Sequence, residues 1–195
     1  MYTLLLLLIY LAFISLGLPD SLLGSAWPVM HEAFQVPLSY AGLVTMIISG
    51  GTICSSLMSE RLTKKFGTQI VTVFSVMLTA IALFGFSTAS AFWMLCLWAI
   101  PYGLGAGAID AALNNYVALH YNSRHMSWLH CFWGLGTIIS PYVMSYALTT
   151  SVWQNGYRMV SFIQIGITLI LFVTLPIWKV NKKKLRRKKG QKKRW

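Results

Sequence analysis

The sequence predicts an all-α membrane protein: a bundle of six transmembrane helices arranged as two inverted three-helix repeats. Three observations carry this reading: six long apolar stretches, a body almost without charge, and short motifs that recur in order. Of the 195 residues, 56% are hydrophobic and only 10% charged, against about 25% charged in a soluble domain. Eleven of the sixteen Lys and Arg residues lie at Lys179 or beyond, so the first 178 residues hold five basic and four acidic side chains. So little surface charge would not keep a water-soluble fold dispersed, whereas lipid asks for none. The net charge of +12 therefore belongs to the tail, and the body gives no sign of a nucleic-acid surface. Cys54, Cys96 and Cys131 lie in apolar stretches, fit no metal spacing, and read as small packing residues.

A membrane helix needs about 20 mostly apolar residues. Six stretches qualify: Leu4 to Met30, Ser39 to Leu62, Gln69 to Ser87, Phe92 to Leu119, Met126 to Thr149 and Tyr157 to Trp178. The first lacks the basic start and small-residue cleavage site of a secretory signal, so it is read as a retained helix. Links at His31–Leu38, Thr63–Thr68, Thr88–Ala91, His120–His125 and Thr150–Gly156 are short, which makes consecutive helices antiparallel. Arg61, Lys64, Lys65, Arg124 and the tail all fall on one side if the N-terminus is inside, leaving Arg158 outside. The positive-inside rule then places both termini in the cytoplasm of a multi-pass cell (plasma) membrane protein. Phe92, Trp93, Trp153, Tyr157 and Trp178 sit near span ends, where amphipathic rings favour the interface.

Two motif pairs recur 85–90 residues apart. Gly17-Leu-Pro-Asp20 in the first helix is matched by Gly107-Ala-Ile-Asp110 in the fourth, and Gly51-Thr-Ile-Cys-Ser55 in the second by Gly136-Thr-Ile-Ile-Ser140 in the fifth. Repeats of about 1–87 and 92–180 would then make up a six-helix domain of residues 1–180, with 181–195 as a polybasic tail. A three-helix unit copied once has opposite orientations in the membrane, the plan of many secondary transporters. The plainer reading is that Gly and Ser are common in membrane helices.

Asp20 and Asp110 are the informative residues, since a carboxylate at the bilayer centre costs roughly 2.5–3.5 kcal/mol. Such a group faces a wet path or takes up a proton, because desolvation favours the neutral acid; proton coupling is the expectation, a structural carboxylate bonded to a neighbouring helix the alternative. Helical spacing puts Gly103, Gly107, Asp110 and Asn114 on one face, Asp20, Gly24 and Trp27 on another, and His130, Trp133, Gly134, Thr137 and Pro141 on a third. Asn114 can donate to and accept from a hydroxylated solute, the Trp133 indole can stack on an apolar sugar face, and His130 can titrate near neutrality. Trp27, Asn114, His130 and Trp133 are thus candidate substrate contacts, with Gln164 a weaker one; ordinary helix packing is the competing reading for each. Pro19, Pro28, Pro101 and Pro141 should kink their helices.

Ser56-Leu-Met-Ser-Glu60-Arg61-Leu-Thr-Lys64-Lys65 resembles the loop between the second and third helices of the major facilitator superfamily, Gly-x-x-x-Asp-Arg-x-Gly-Arg-Arg. It keeps the acid–Arg pair and both terminal basic residues, and departs at Ser56, Thr63 and Glu60; the resemblance implies a gating loop at Glu60 and Arg61. Gly107-Ala-Ile-Asp110-Ala-Ala-Leu-Asn114 is similar to the Gly-x-x-Glu-x-x-x-Asn segment of the fucose permease-like branch, with Asp for Glu. His130-Cys-Phe-Trp-Gly134-Leu-Gly136 is similar to that branch's fifth-helix signature, and Asp20 matches by position. The likeness covers residues 10–178 and the first six of the family's usual twelve helices. It implies a secondary active transporter, or half of one, that moves a sugar-like or other small polar solute with protons by alternating access.

The tail, from Lys182 to Arg194, should be disordered and attract anionic lipid, at about 1 kcal/mol per basic residue near the surface. A half-length chain implies a second six-helix unit as partner, either the same chain or a separate one. A truncated, inactive or non-transporting subunit is the alternative, and drug efflux a further one. No nucleophile–base pair, phosphate loop or metal cluster stands out, so neither enzyme activity nor a cofactor is expected.

Overall fold

A computed structural model describes residues 2–176; the polybasic tail and Trp178 lie outside them. The described residues form helices α1 (Tyr2–Asp20), α2 (Leu22–Ala33), α3 (Tyr40–Phe66), α4 (Thr68–Ser87), α5 (Phe92–His120), α6 (Ser123–Thr150) and α7 (Trp153–Val173). Six spans are long and apolar enough to cross a membrane, the first being α1 and α2 together, Thr3–Ala33. Helix is what these sequences must form in lipid, because only a helix satisfies every backbone N–H and C=O within its own segment.

The expected spans are all present, with ends shifted by a few residues. The first is broken at Ser21, two residues after Pro19 and directly after Asp20. Proline has no N–H to donate and its ring crowds the preceding turn, which weakens the helix on the N-terminal side of the break. The link between the second and third spans is shorter than expected. Residues 63–66 remain helical, and Gly67 alone joins α3 to α4 with φ 91° and ψ 148°.

α1 packs along α6, α3 along α5, and α4 against both α5 and α7. The two long crossings are alike. Gly17 lies against the backbone of Trp133 and Thr137, and Gly136 against that of Ile14 and Leu18. In the other crossing Gly107 lies against Thr52, and Gly51 against Gly103 and Leu104. Small residues let the backbones approach, and hydroxyls bridge the gap. Ser21 Oγ donates to the Thr137 carbonyl at 2.7 Å, Thr52 Oγ1 to that of Gly103 at 3.3 Å, and Ser56 Oγ to that of Gly107 at 3.2 Å. The glycines at matched places in the two motif pairs thus occupy matched crossings.

Two apolar clusters make up most of the core, with a small third at Val71, Ala108 and Ala112. One gathers Leu5, Ile9, Phe13, Leu113, Leu129 and their neighbours; the other gathers Leu22, Met30, Leu83, Leu95, Met144 and Tyr157. Between them lies a polar layer. Gln164 is buried there, donates to the Ser15 carbonyl and accepts from Thr79 Oγ1 at 3.5 Å, while Ser161 Oγ donates to the Ala80 carbonyl at 2.9 Å. Gln164 is therefore a link among α1, α4 and α7.

Candidate functional site

Apolar helices carry the few ionisable groups to one place. A cavity of about 310 Å³ is lined by Phe13, Leu16 and Asp20 of α1, Ile48 and Thr52 of α3, Tyr102, Ala106 and Asp110 of α5, and His130 and Trp133 of α6. The α1 residues follow spacings of three and four, and those of α5 spacings of four, as one helical face requires. The volume sits at the lower end of ligand pockets, which are mostly apolar with a few convergent polar groups. A second cavity of about 330 Å³ lies between α3 and α4, lined by Leu62, Phe66, Ile70, Val71, Phe74 and Ser75. It holds no ionisable side chain, so the chemistry belongs to the first.

Asp20 is the hub. Its Oδ1 accepts from the Tyr102 hydroxyl at 2.9 Å and its Oδ2 from the Trp133 indole N–H at 2.8 Å. One carboxyl group thereby ties α1, at the residue before its break, to both α5 and α6. Tyr102 is buried, whereas Asp20 and Trp133 are exposed to the cavity. Asp110 accepts from Asn114 Nδ2 at 2.9 Å, one turn along the same helix. His130 and Asp110 interact electrostatically, and the His130 ring stands edge-on to Phe13 with centroids 6.2 Å apart.

Of the residues singled out by sequence, Asp20, Asp110, His130 and Trp133 meet in this cavity. Asn114 does not line it and bears on it through Asp110. Trp27 lies away from it: its indole is 4% exposed and donates to the Leu38 carbonyl at 2.7 Å, closing the link between α2 and α3. Helical spacing had put Trp27 on the face of Asp20, but the break at Ser21 interrupts the count. On α5 the face is also offset. Gly103 and Gly107 pack on α3, and the cavity is lined by positions 102, 106 and 110. Glu60 and Arg61 are exposed near the end of α3, where Glu60 pairs with Lys64 of its own helix at 2.6 Å. They stand in a helical turn rather than a loop, outside the cavity. Tyr102 and Thr52 were missed; the signal for Tyr102 was its place two helical turns before Asp110.

The family model of the Major Facilitator Superfamily matches residues 9–195. Among curated proteins the chain is similar to Bypass of stop codon protein 6 of Saccharomyces cerevisiae, 24% identical over 163 residues, which are 82% of this chain and 33% of that protein. It is also similar to the Glucose/mannose transporter GlcP of Bacillus subtilis, 23% identical over 152 residues, 76% of this chain and 37% of that one. The chain thus covers about a third of the length of each relative.

Proposed function

We propose that this chain, which belongs to the major facilitator superfamily, forms one half of a secondary active transporter that moves a small polar solute, a sugar by first choice, together with protons. The family consists of membrane transport proteins and not enzymes, and the six spans make the chain a multi-pass membrane protein. The observation that carries the finer reading is the opening of Asp20 and Asp110 onto one cavity beside Trp133 and His130. Carboxylates are expensive in hydrocarbon and are kept where they face a path for ions or substrate. The indole offers a flat apolar face to a sugar ring, and the carboxylates can accept from its hydroxyls. That GlcP is named for glucose and mannose supports the same choice.

In this reading Asp20 and Asp110 exchange protons, Trp133 and His130 contact the solute, and Asn114 acts through Asp110. The domain is two inverted repeats, about 1–87 and 92–180, and rocks against a second six-helix unit. Both termini face the cytoplasm of the cell (plasma) membrane, where the tail meets anionic lipid. Glu60 and Arg61 would mark the cytoplasmic gate. The test is uptake of D-glucose into proteoliposomes with and without an inward proton gradient. Accumulation should follow the gradient in the wild type and fall in Asp110→Asn to the level reached without a gradient. Undiminished gradient-driven uptake in Asp110→Asn would remove the coupling role, and no movement of glucose by the wild type would remove the sugar.

A further inference from the structure

The Asp20 site holds a chemical asymmetry. A carboxylate only accepts hydrogen bonds, so the charged group satisfies Tyr102 and Trp133 together. Bonds of this charge-assisted kind are roughly twice as strong as neutral ones. When Asp20 takes up a proton, a new O–H bond forms on one carboxyl oxygen, and that O–H needs an acceptor. The Tyr102 hydroxyl can turn and accept it. The indole N–H can only donate, and the other carboxyl oxygen still accepts it, but as a neutral acceptor, so the Trp133 bond loses its charge assistance while the Tyr102 bond only reverses.

Packing sharpens the difference. Tyr102 is 4% exposed and its ring is held edge-on by Phe86, whereas Trp133 is 38% exposed at the cavity wall. The backbone of Trp133 is fixed against Gly17, so the side chain is the part free to move. We infer that Trp133 is the positioning residue that couples the proton to the solute. The Asp20 carboxylate holds its indole to the wall firmly when charged and weakly when neutral, so that protonation lets the indole swing into the cavity. This rests on the proton-coupled reading above. Other ionisable groups facing the cavity are Asp110 and Tyr102 from α5 and His130 from α6; α3 contributes Thr52 and Ile48, which do not titrate.

Tryptophan fluorescence of the full chain in detergent, followed across pH 5 to 8.5, tests the switch without any solute. The wild type should show a pH-dependent emission change that is absent in Trp133→Phe and in Asp20→Asn and retained in Asp110→Asn and His130→Gln. A change that survives Asp20→Asn, or one equal in the wild type and Trp133→Phe, overturns the inference. Should Trp133→Phe not fold, 5-fluorotryptophan labelling of the wild type and Asp20→Asn decides by NMR: a resonance that moves with pH only in the wild type is expected, and identical titrations refute. In proteoliposomes the half-saturation for D-glucose should shift about fivefold or more with pH in the wild type, a typical coupling factor, and lose that shift in Trp133→Phe. Unchanged pH dependence in Trp133→Phe would also overturn it. Failure of glucose uptake in the wild type, by contrast, strikes the transport reading and leaves the fluorescence result to stand or fall alone.

Discussion

At Gly17 a single methyl group would collide with the carbonyl of Trp133, whereas at Gly24 it would meet nothing within 4 Å. The contrast gives a paired prediction. Gly17→Ala must separate α1 from α6, at the roughly 1–3 kcal/mol typical of overpacking. Gly24→Ala should be neutral or slightly stabilising, since Gly in a helix is worth about 0.5–1 kcal/mol less than Ala. Thermal melting of both variants in one detergent checks this: Gly17→Ala should melt several degrees lower, and equal midpoints would refute the close crossing. Residue by residue, the sequence was legible where chemistry stood out from its surroundings. Asp20, Asp110, His130 and Trp133 are conspicuous in apolar runs, and all four reach the cavity. Tyr102 carried only a positional signal, two helical turns before Asp110, because tyrosine is ordinary in a membrane helix; only the fold shows its hydroxyl reaching Asp20.

Among the elements, all six spans could be read from hydropathy alone, and the positions of the prolines and glycines announced irregularity without saying which sites would yield. Of the four prolines within helices, only Pro19 stands beside a break, at Ser21, while Pro28, Pro101 and Pro141 lie inside continuous helices. A kink can be absorbed by neighbouring helices and local adjustment, so the sequence could not rank the four. That omission displaced Trp27, whose predicted face assumed an unbroken first helix. The tightest element boundary is Gly67, whose φ of 91° and ψ of 148° fall in a region open essentially to glycine alone. Gly67→Ala should cost about 1–3 kcal/mol, seen as earlier unfolding when SDS is titrated into the detergent-solubilised chain. Gly166→Ala, in open space on α7, is the comparison and should unfold as the wild type does. Were the two variants indistinguishable, the one-residue turn between α3 and α4 would have to be redrawn.

For the whole molecule, the decisive feature is that the described residues wall the cavity from α1, α3, α5 and α6 alone. Long stretches of α3 and α6 carry exposed apolar side chains, among them Met46, Ile53 and Leu57 on α3 and Leu135, Ile138 and Tyr142 on α6. Both helices also line the cavity, through Ile48, Thr52, His130 and Trp133. A solute bound there would be open on the far side, and alternating access needs a second surface to close it. In this superfamily the two halves are related by an axis along the membrane normal, which is also the axis of a two-fold pair of identical chains in one membrane. A second copy set by that axis would therefore face its own cavity toward this one without inverting. If paired copies are the working unit and both must be competent, activity follows the square of the competent fraction. Co-reconstituting wild-type chains with equal amounts of Asp110→Asn should then leave about a quarter of the wild-type uptake, as a two-fold assembly requires. A loss in simple proportion to the wild-type fraction would show that each chain works without a competent twin, and would refute the paired-copy unit.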